Sequence, residues 1–336
     1  MLAMSIAGFT SQSYSSGFAL IENSASGQGN AFAGAAAYAE DASTVWFNPA
    51  GMMKLDKNQI LVAGHFITPS SSFTNGNSVD GLGNDLEGSN DDGGIDAFVA
   101  NFYWVTDIRE DMKFGLGVTT PFGLTTLYDD SWVGRYHAVE SDLKTININP
   151  SIAYQVNEKF SVGGGINLML VDVTLTSMID FGAACYAALN QATCDAQGAL
   201  PQQTDGFGDL TGDNFSDLSW GLNLGLMYDF TPETRVGVAW RSETKVKAKG
   251  DAKFTVPASA AFIQSSGLFI NTGLSAEITL PQSVSVSLSH EMNKWQLLAD
   301  ITWTGWSSFE ELRIKYDNPD QPDSVTTEAW DDTFRY

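Results

Sequence analysis

Along this chain the connections between stretches of alternating hydrophobicity themselves alternate in length. Short links at Thr106–Asp111, Val156–Glu158, Thr231–Glu233 and Glu291–Asn293 take turns with long ones at Pro69–Gly94, Phe122–Ala138, Ile179–Asn214, Asp251–Leu274 and Glu310–Thr327. Tight turns on one rim and long loops on the other are how antiparallel β-barrels of outer membranes are built. A soluble sandwich has no reason to keep that parity.

The stretches themselves have period two. Ile146, Ile148, Ile152, Tyr154 and Val156 alternate with Thr145, Asn147, Asn149, Ser151 and Gln155. Trp220, Leu222, Leu224, Leu226, Tyr228 and Phe230 face away from Gly221, Asn223, Gly225 and Asp229. The segments Trp295–Trp303 and Ser283–Ser289 behave alike. One apolar face per strand marks a strand between unlike environments. A water-soluble barrel would show the same alternation with its apolar face inward. Aromatic residues near strand ends (Trp104, Tyr154, Tyr228, Phe230, Trp240, Trp303) favour lipid, where such rings form girdles. Lys159–Ser177 is longer than a bilayer crossing needs, and Gly163–Gly165 within it offers a place for a bend or bulge. About nine full strands and the start of a tenth near Glu328 are expected, in an all-β, transmembrane antiparallel barrel.

No window approaches the roughly 20 apolar residues of a membrane-spanning helix, which is neutral evidence for a barrel. The formal net charge of -23 excludes a general nucleic-acid footprint, which needs clustered Lys and Arg. Much of the acid lies in the long connections, for example Asp80, Asp85, Glu87, Asp91 and Asp92. Asp91-Asp92 reads as solvated loop acid rather than a calcium site. Neither a metal nor another cofactor is expected. Cys185 and Cys194 share the longest connection; they would either close a small disulfide loop or remain two thiols.

Met1–Ser15 reads as a signal-peptide remnant with a small-x-small site at Ser13–Ser15. Residues 16–56 lack strand alternation and are rich in small residues, as a plug packed inside a barrel requires; a mobile arm is the alternative. Residues 57–336 form the barrel. Catalysis is not expected. The histidines are His65, His137 and His290, and His290 beside Ser289 points to the opposite face of its strand.

Four stretches carry a family resemblance. They are Ser16-Gly-Phe18 with Gly34–Ala37, Asp41–Thr44 and Asn48-Pro49-Ala50; Gly115–Leu124 with Tyr128–Asp130; Trp240–Lys245; and Leu280-Pro281 with Trp303–Phe309. On these the chain resembles the FadL/TodX family of outer-membrane transporters for long-chain fatty acids and hydrocarbons. The resemblance implies a monomeric barrel of about 14 strands with an N-terminal hatch in its lumen, so that roughly four strands would be missing after the tenth. It implies uptake of hydrophobic compounds, foremost long-chain fatty acids, by capture at external loops, hatch movement and lateral exit through a strand kink. A hydrocarbon channel, a general porin and a receptor are the alternatives. Partners would be these small molecules, outer-membrane lipid and lipopolysaccharide.

Asn48, Pro49 and Ala50 would be the hatch element, or an ordinary Asn-Pro turn. Phe181, Tyr186 and Leu189 in one loop, and Phe262, Ile263, Leu268 and Phe269 in another, would form an apolar capture surface, or simply pack on each other. Arg135, Arg241 and Lys245 are candidate cations for a carboxylate head group, by residue type.

Overall fold

A computed structural model describes residues 17–336 of the chain, so the expected signal-peptide remnant and Ser16 lie outside the described residues. Ten antiparallel strands follow one another as a meander. β1 is Gln59–Ile67, β2 Ala97–Arg109, β4 Glu140–Asn157 and β5 Phe160–Asp180. The other six each consist of two segments. β3 is Met112–Thr119 with Gly123–Leu127; β6 is Asp205–Asp213 with Ser219–Thr231; β7 is Thr234–Arg241 with Thr244–Thr255. β8 is Thr272–Leu280 with Ser283–Met292; β9 is Trp295–Thr304 with Glu311–Tyr316; β10 is Ser324–Thr327 with Thr333–Arg335. Every strand pairs with its sequence neighbours in one sheet, and that sheet is not closed: β1 and β10 are its ends.

The parity of the connections is as expected, but the long ones are shorter than the sequence indicated. Asp205–Asp213, Glu311–Tyr316 and Ser324–Thr327 are strand rather than loop. They carry polar residues on one face and glycine or modest apolar residues on the other, which blurs the alternation. The tenth strand accordingly starts at Ser324, and Glu328 falls in its interruption. Gly163–Gly165 makes no break either, since β5 runs through it. A side chain at Gly163 would have its Cβ 2.5 Å from the backbone nitrogen of Ala50, so this glycine serves close approach rather than bending.

Between the short turns and the interruptions, the wall is apolar outside and polar inside. Leu222, Leu224, Leu226, Tyr228, Val286, Leu297 and Ile301 are exposed, whereas Asn147, Asn149, Asn167, Asn223 and Ser287 are buried. This distinguishes a lipid-facing barrel from a water-soluble one. An outward row of Leu224, Trp240, Val284, Trp303 and Phe334 runs in register at the level of the interruptions, with Tyr154, Tyr228 and Trp295 at the opposite rim.

Beyond the interruptions the faces exchange. Val246, Ala248, Ala252, Leu274, Ile278, Leu280 and Ile314 are buried inside, and Lys245, Lys247, Lys249, Asp251 and Lys253 stand outside. In β8 the apolar residues stay on even numbers throughout, Leu274 to Leu280 and then Val284 to Leu288. The interruption at Pro281-Gln282 turns the backbone so that the same parity faces inward above and lipid below. Proline suits that place because it cannot donate to the ladder. In unbroken β5 the sequence itself changes phase, from Ile166, Leu168 and Leu170 outward to Val171, Val173 and Leu175 inward.

If the lower wall contacts lipid, Leu226→Arg destabilises the barrel by about 2–4 kcal/mol. Thr211→Arg, on the outer face beyond the interruptions, changes it by less than about 0.5 kcal/mol. Denaturant titration of protein refolded in vesicles measures both.

Candidate functional site

The residues before β1 sit inside the polar lumen. Helices α1 (Ala25–Gly29), α2 (Ala35–Tyr38) and α3 (Thr44–Phe47) lead into a 3₁₀ turn at Pro49–Lys54. Ser24 caps α1 by accepting from Gly27 N–H at 2.9 Å. Asn48 caps the 3₁₀ turn: its Oδ1 accepts from Ala50 N–H at 3.0 Å, and Pro49 occupies the first position, where no N–H is needed. The Asn48 amide also donates to the carbonyls of Ala36 (2.7 Å) in α2 and Leu226 (3.0 Å) in the wall. One fully buried side chain therefore closes the turn, joins it to α2 and ties both to β6. A Cβ on Gly225 would overlap the Asn48 amide, so glycine there is a requirement of the seat.

Other ties come from polar residues of the inner face. Ser161 donates to the Ala50 carbonyl at 3.1 Å, and Ser287 accepts from Ala36 N–H at 3.1 Å. Lys54 and Arg235 share Asp229, and Lys113 donates to the Leu55 carbonyl. These residues were legible only as the polar half of an alternation; their partners lie far away in sequence.

A window interrupts the wall between β2 and β3. From Phe102 and Val118 down to the turn the two strands pair, but Ala97–Asn101 pair only with β1 and Gly123–Leu127 only with β4. The chain at Phe18–Asn23 spans the opening. Leu20 N–H donates to the Pro121 carbonyl at 2.8 Å and Gly123 N–H to the Phe18 carbonyl at 3.0 Å. On the other side Asn101 donates to the Glu22 carbonyl (2.8 Å) and the Tyr103 hydroxyl to the Asn23 carbonyl (2.6 Å).

Beside this segment and the hatch lies a cavity of about 140 Å³ bounded by Leu20, Trp46, Phe122, Leu224, Pro281 and Arg241, among others. Apolar packing leads away from it. Phe18 touches Phe122, Trp306 and Phe309 edge-on, in a cluster with Val246, Ile278 and Leu280. Ala252, Leu274 and Ile314 continue inside the upper wall with Phe254 and Tyr316. Phe254 meets Phe269, and Phe269 meets Phe181, with ring centroids 5.5 and 4.9 Å apart. The interior is thus apolar from the external loops to the cavity.

Of the expected capture residues, Phe181 is buried and begins helix α4 (Phe181–Ala188). Helix α5 (Gln191–Gln197) is joined to it by a Cys185–Cys194 disulfide, on which Tyr186, Phe262 and Ile263 pack. The two loops therefore touch. Leu268 and Phe269 are half-buried, and Leu189 is 52% exposed. Asp92 is engaged by its own loop: hydroxyls of Ser70 and Ser72 and the N–H groups of Gly94 and Ser71 hold its carboxyl well below the usual range. Among the described residues no cluster of three metal-ligating side chains occurs.

The three candidate cations are placed very differently. Arg135 is buried between loops, with donors to Asp205 (3.0 Å), Tyr136 (2.7 Å) and the Glu87 carbonyl. Lys245 is exposed on the outer wall. Arg241 faces the cavity. Its guanidinium lies 3.5 Å over the Trp46 ring, donates to the Trp46 carbonyl at 2.9 Å and to Asn167, and has no carboxylate partner among the described residues.

An antiparallel sheet that is polar on its inner face and apolar on its outer one, with the N-terminal segment lodged against the polar face, has the architecture of an outer-membrane transport protein. Residues 6–336 match the family model described as outer membrane protein transport protein (OMPP1/FadL/TodX), and the chain belongs to that family. It is 28% identical over 331 residues to a long-chain fatty acid transport protein of Escherichia coli O6:H1, covering 94% of this chain and 72% of the relative. A 47 kDa outer membrane protein of Pasteurella multocida is 32% identical, covering 94% and 71%. Among solved structures, a Pseudomonas aeruginosa FadL homologue superposes with TM-score 0.82 at 23% identity, covering 95% of this chain and 76% of that one. The Pseudomonas putida toluene transporter TodX gives 0.61 at 17%, covering 86% and 72%. The protein is thus one of the outer membrane.

Removing the Asn48 amide breaks two ties and a cap worth about 1 kcal/mol each. Only the Leu226 bond crosses to the wall, so Asn48→Ala should raise the population of a displaced N-terminal segment roughly fivefold, and Gly225→Val should do so by steric overlap. Planar-bilayer recording should show a rare, brief conductance becoming sustained in both variants, against a nearly silent parent.

Proposed function

We propose that the chain imports amphipathic hydrophobic molecules with an anionic head, foremost long-chain fatty acids, across the outer membrane. The observation that carries this is Arg241. A guanidinium with only neutral partners, at the edge of a cavity that apolar side chains such as Leu20, Trp46 and Phe122 share with polar ones such as Ser283, Thr302 and Arg335, fits a carboxylate that arrives with an alkyl chain. A site for hydrocarbon alone has no use for it. The fatty acid transport proteins among the relatives support the same substrate class.

The route follows the apolar interior. The loop residues Phe181, Tyr186, Leu189, Phe262, Ile263, Leu268 and Phe269 offer the first apolar surface. The interior of the upper wall then takes the tail, and each buried methylene contributes about 0.8 kcal/mol. At the bottom the carboxylate reaches Arg241 beside Trp46 and Phe47, two residues of α3. The hatch element Asn48-Pro49-Ala50 follows them directly, so a ligand that moves Trp46 strains the Asn48 ties. Exit is sideways through the window between β2 and β3, once Phe18–Asn23 is displaced. Lys245, outside the wall, and Arg135, committed to Asp205, take no part in holding the head group.

Uptake of labelled oleate and labelled toluene by cells lacking their own transporter tests this reading. Arg241→Gln should lower oleate uptake about tenfold or more, as expected for loss of one charge-assisted contact, and leave toluene entry within twofold. Equal loss of both would point to a structural role for Arg241. Toluene entry in the parent without oleate entry would move the protein to hydrocarbon uptake.

A further inference from the structure

In a chain of charge -23, six of the 17 lysines and arginines stand close together on the outer wall, four on β7 and two on β9, either side of β8. Lys245, Lys247, Lys249 and Lys253 are successive outward residues of β7, interrupted only by Asp251. Across the ladder Lys247 registers with Glu277 and then Arg313, and Lys249 with Ser275 and then Lys315. Lys247 pairs with Glu277 at 3.4 Å, and Arg313 with Glu311 and Asp323 at 2.7 and 3.2 Å. Lys245, Lys249, Lys253 and Lys315 make no ion pair among the described residues, although Asp213 registers beside Lys249. Strand geometry puts Lys245 and Lys249 about 13 Å apart along β7 and Lys315 about 10 Å to one side.

The height of this patch is fixed by its own strands. Trp240, in the outward aromatic row, precedes Lys245 by five residues, and below Trp240 the outer face of β7 is Val236 and Val238. The cations therefore begin where the apolar band ends, on the side of the long loops. Among the described residues no other stretch of the wall at that level gathers cations; the outer face of β6 there carries Asp209 and Asp213.

We propose that this patch binds the phosphate groups of the phosphorylated glycolipid in the outer leaflet, the lipopolysaccharide headgroup. Lys245, Lys249 and Lys315 contact phosphate, and Lys247 and Arg313 supply the supporting field. Charge complementarity and position select this occupant: a lipid headgroup is held at the edge of the apolar band, where these side chains are. The inference rests on the membrane location and is independent of which substrate passes through the lumen.

The test is binding of fluorescent lipopolysaccharide to the protein purified from outer membranes in detergent. Lys245→Ser, Lys249→Ser and Lys315→Ser combined should weaken binding about fivefold for each lysine removed. Arginine at the same three positions should restore it. Lipopolysaccharide stripped of its phosphates should bind the parent as weakly as the intact glycolipid binds the triple serine variant. Heat-dependent gel mobility verifies that each variant is folded, and Lys159→Ser, on the opposite rim, is the control. Unchanged affinity in the folded triple variant would overturn the proposal. So would equal binding of the phosphate-free glycolipid, or displacement of the intact one by millimolar inorganic phosphate.

Discussion

The exchange of faces at the strand interruptions is the constraint from which the other features follow. Backbone crossing lipid must show apolar side chains outward and satisfy every ladder bond. Backbone projecting past lipid into water must do the reverse. Strands as long as β7 and β8 do both. The interruptions at Ser242-Glu243 and Pro281-Gln282 allow it by turning the chain without changing the apolar parity of the sequence. The result is an interior that is polar around the hatch and apolar above it. Apolar groups are more favourably placed in the upper part than in the lower.

The hatch depends on the same geometry. Only a polar inner face can offer Ser161 and Ser287 to the chain inside it, and only glycine on that face lets Asn48 approach β6. The interruption in β3 at Thr120–Phe122 lets its upper segment part from β2, and Phe18–Asn23 completes the wall there with hydrogen bonds to both sides. Hatch, window and cavity are consecutive consequences of short chain segments lying where strands part. Arg241 is the last residue of the lower β7 segment, so the cation is positioned at the junction of the polar and apolar interiors.

Much of this architecture was legible in the sequence because period two and loop parity are local signals. Trp220–Phe230 and Thr145–Val156 fall within strands. The segment Asn48-Pro49-Ala50 carries its structural reason in its residue types. What was not legible depends on pairing at a distance. Asp205–Asp213 looks like loop because glycine lines its inner face, where the Phe181 ring and a neighbouring strand approach closely. Gly163 looked like a bend and is a seat for Pro49-Ala50. Arg135, Arg241 and Lys245 were equivalent by type. Only the fold separates a cation paired across loops, one facing a cavity and one facing the membrane surface.

The central claim is that an alkyl chain occupies the apolar interior above the interruptions with its carboxylate at Arg241. A crystal structure with a terminally brominated fatty acid tests it directly, because the anomalous signal of bromine locates the tail without modelling bias. The account predicts bromine inside the wall among Val246, Ile278 and Ile314, and carboxylate density within hydrogen-bond distance of the Arg241 guanidinium. Bromine on the outer apolar band, or a carboxylate seated away from Arg241, would contradict it.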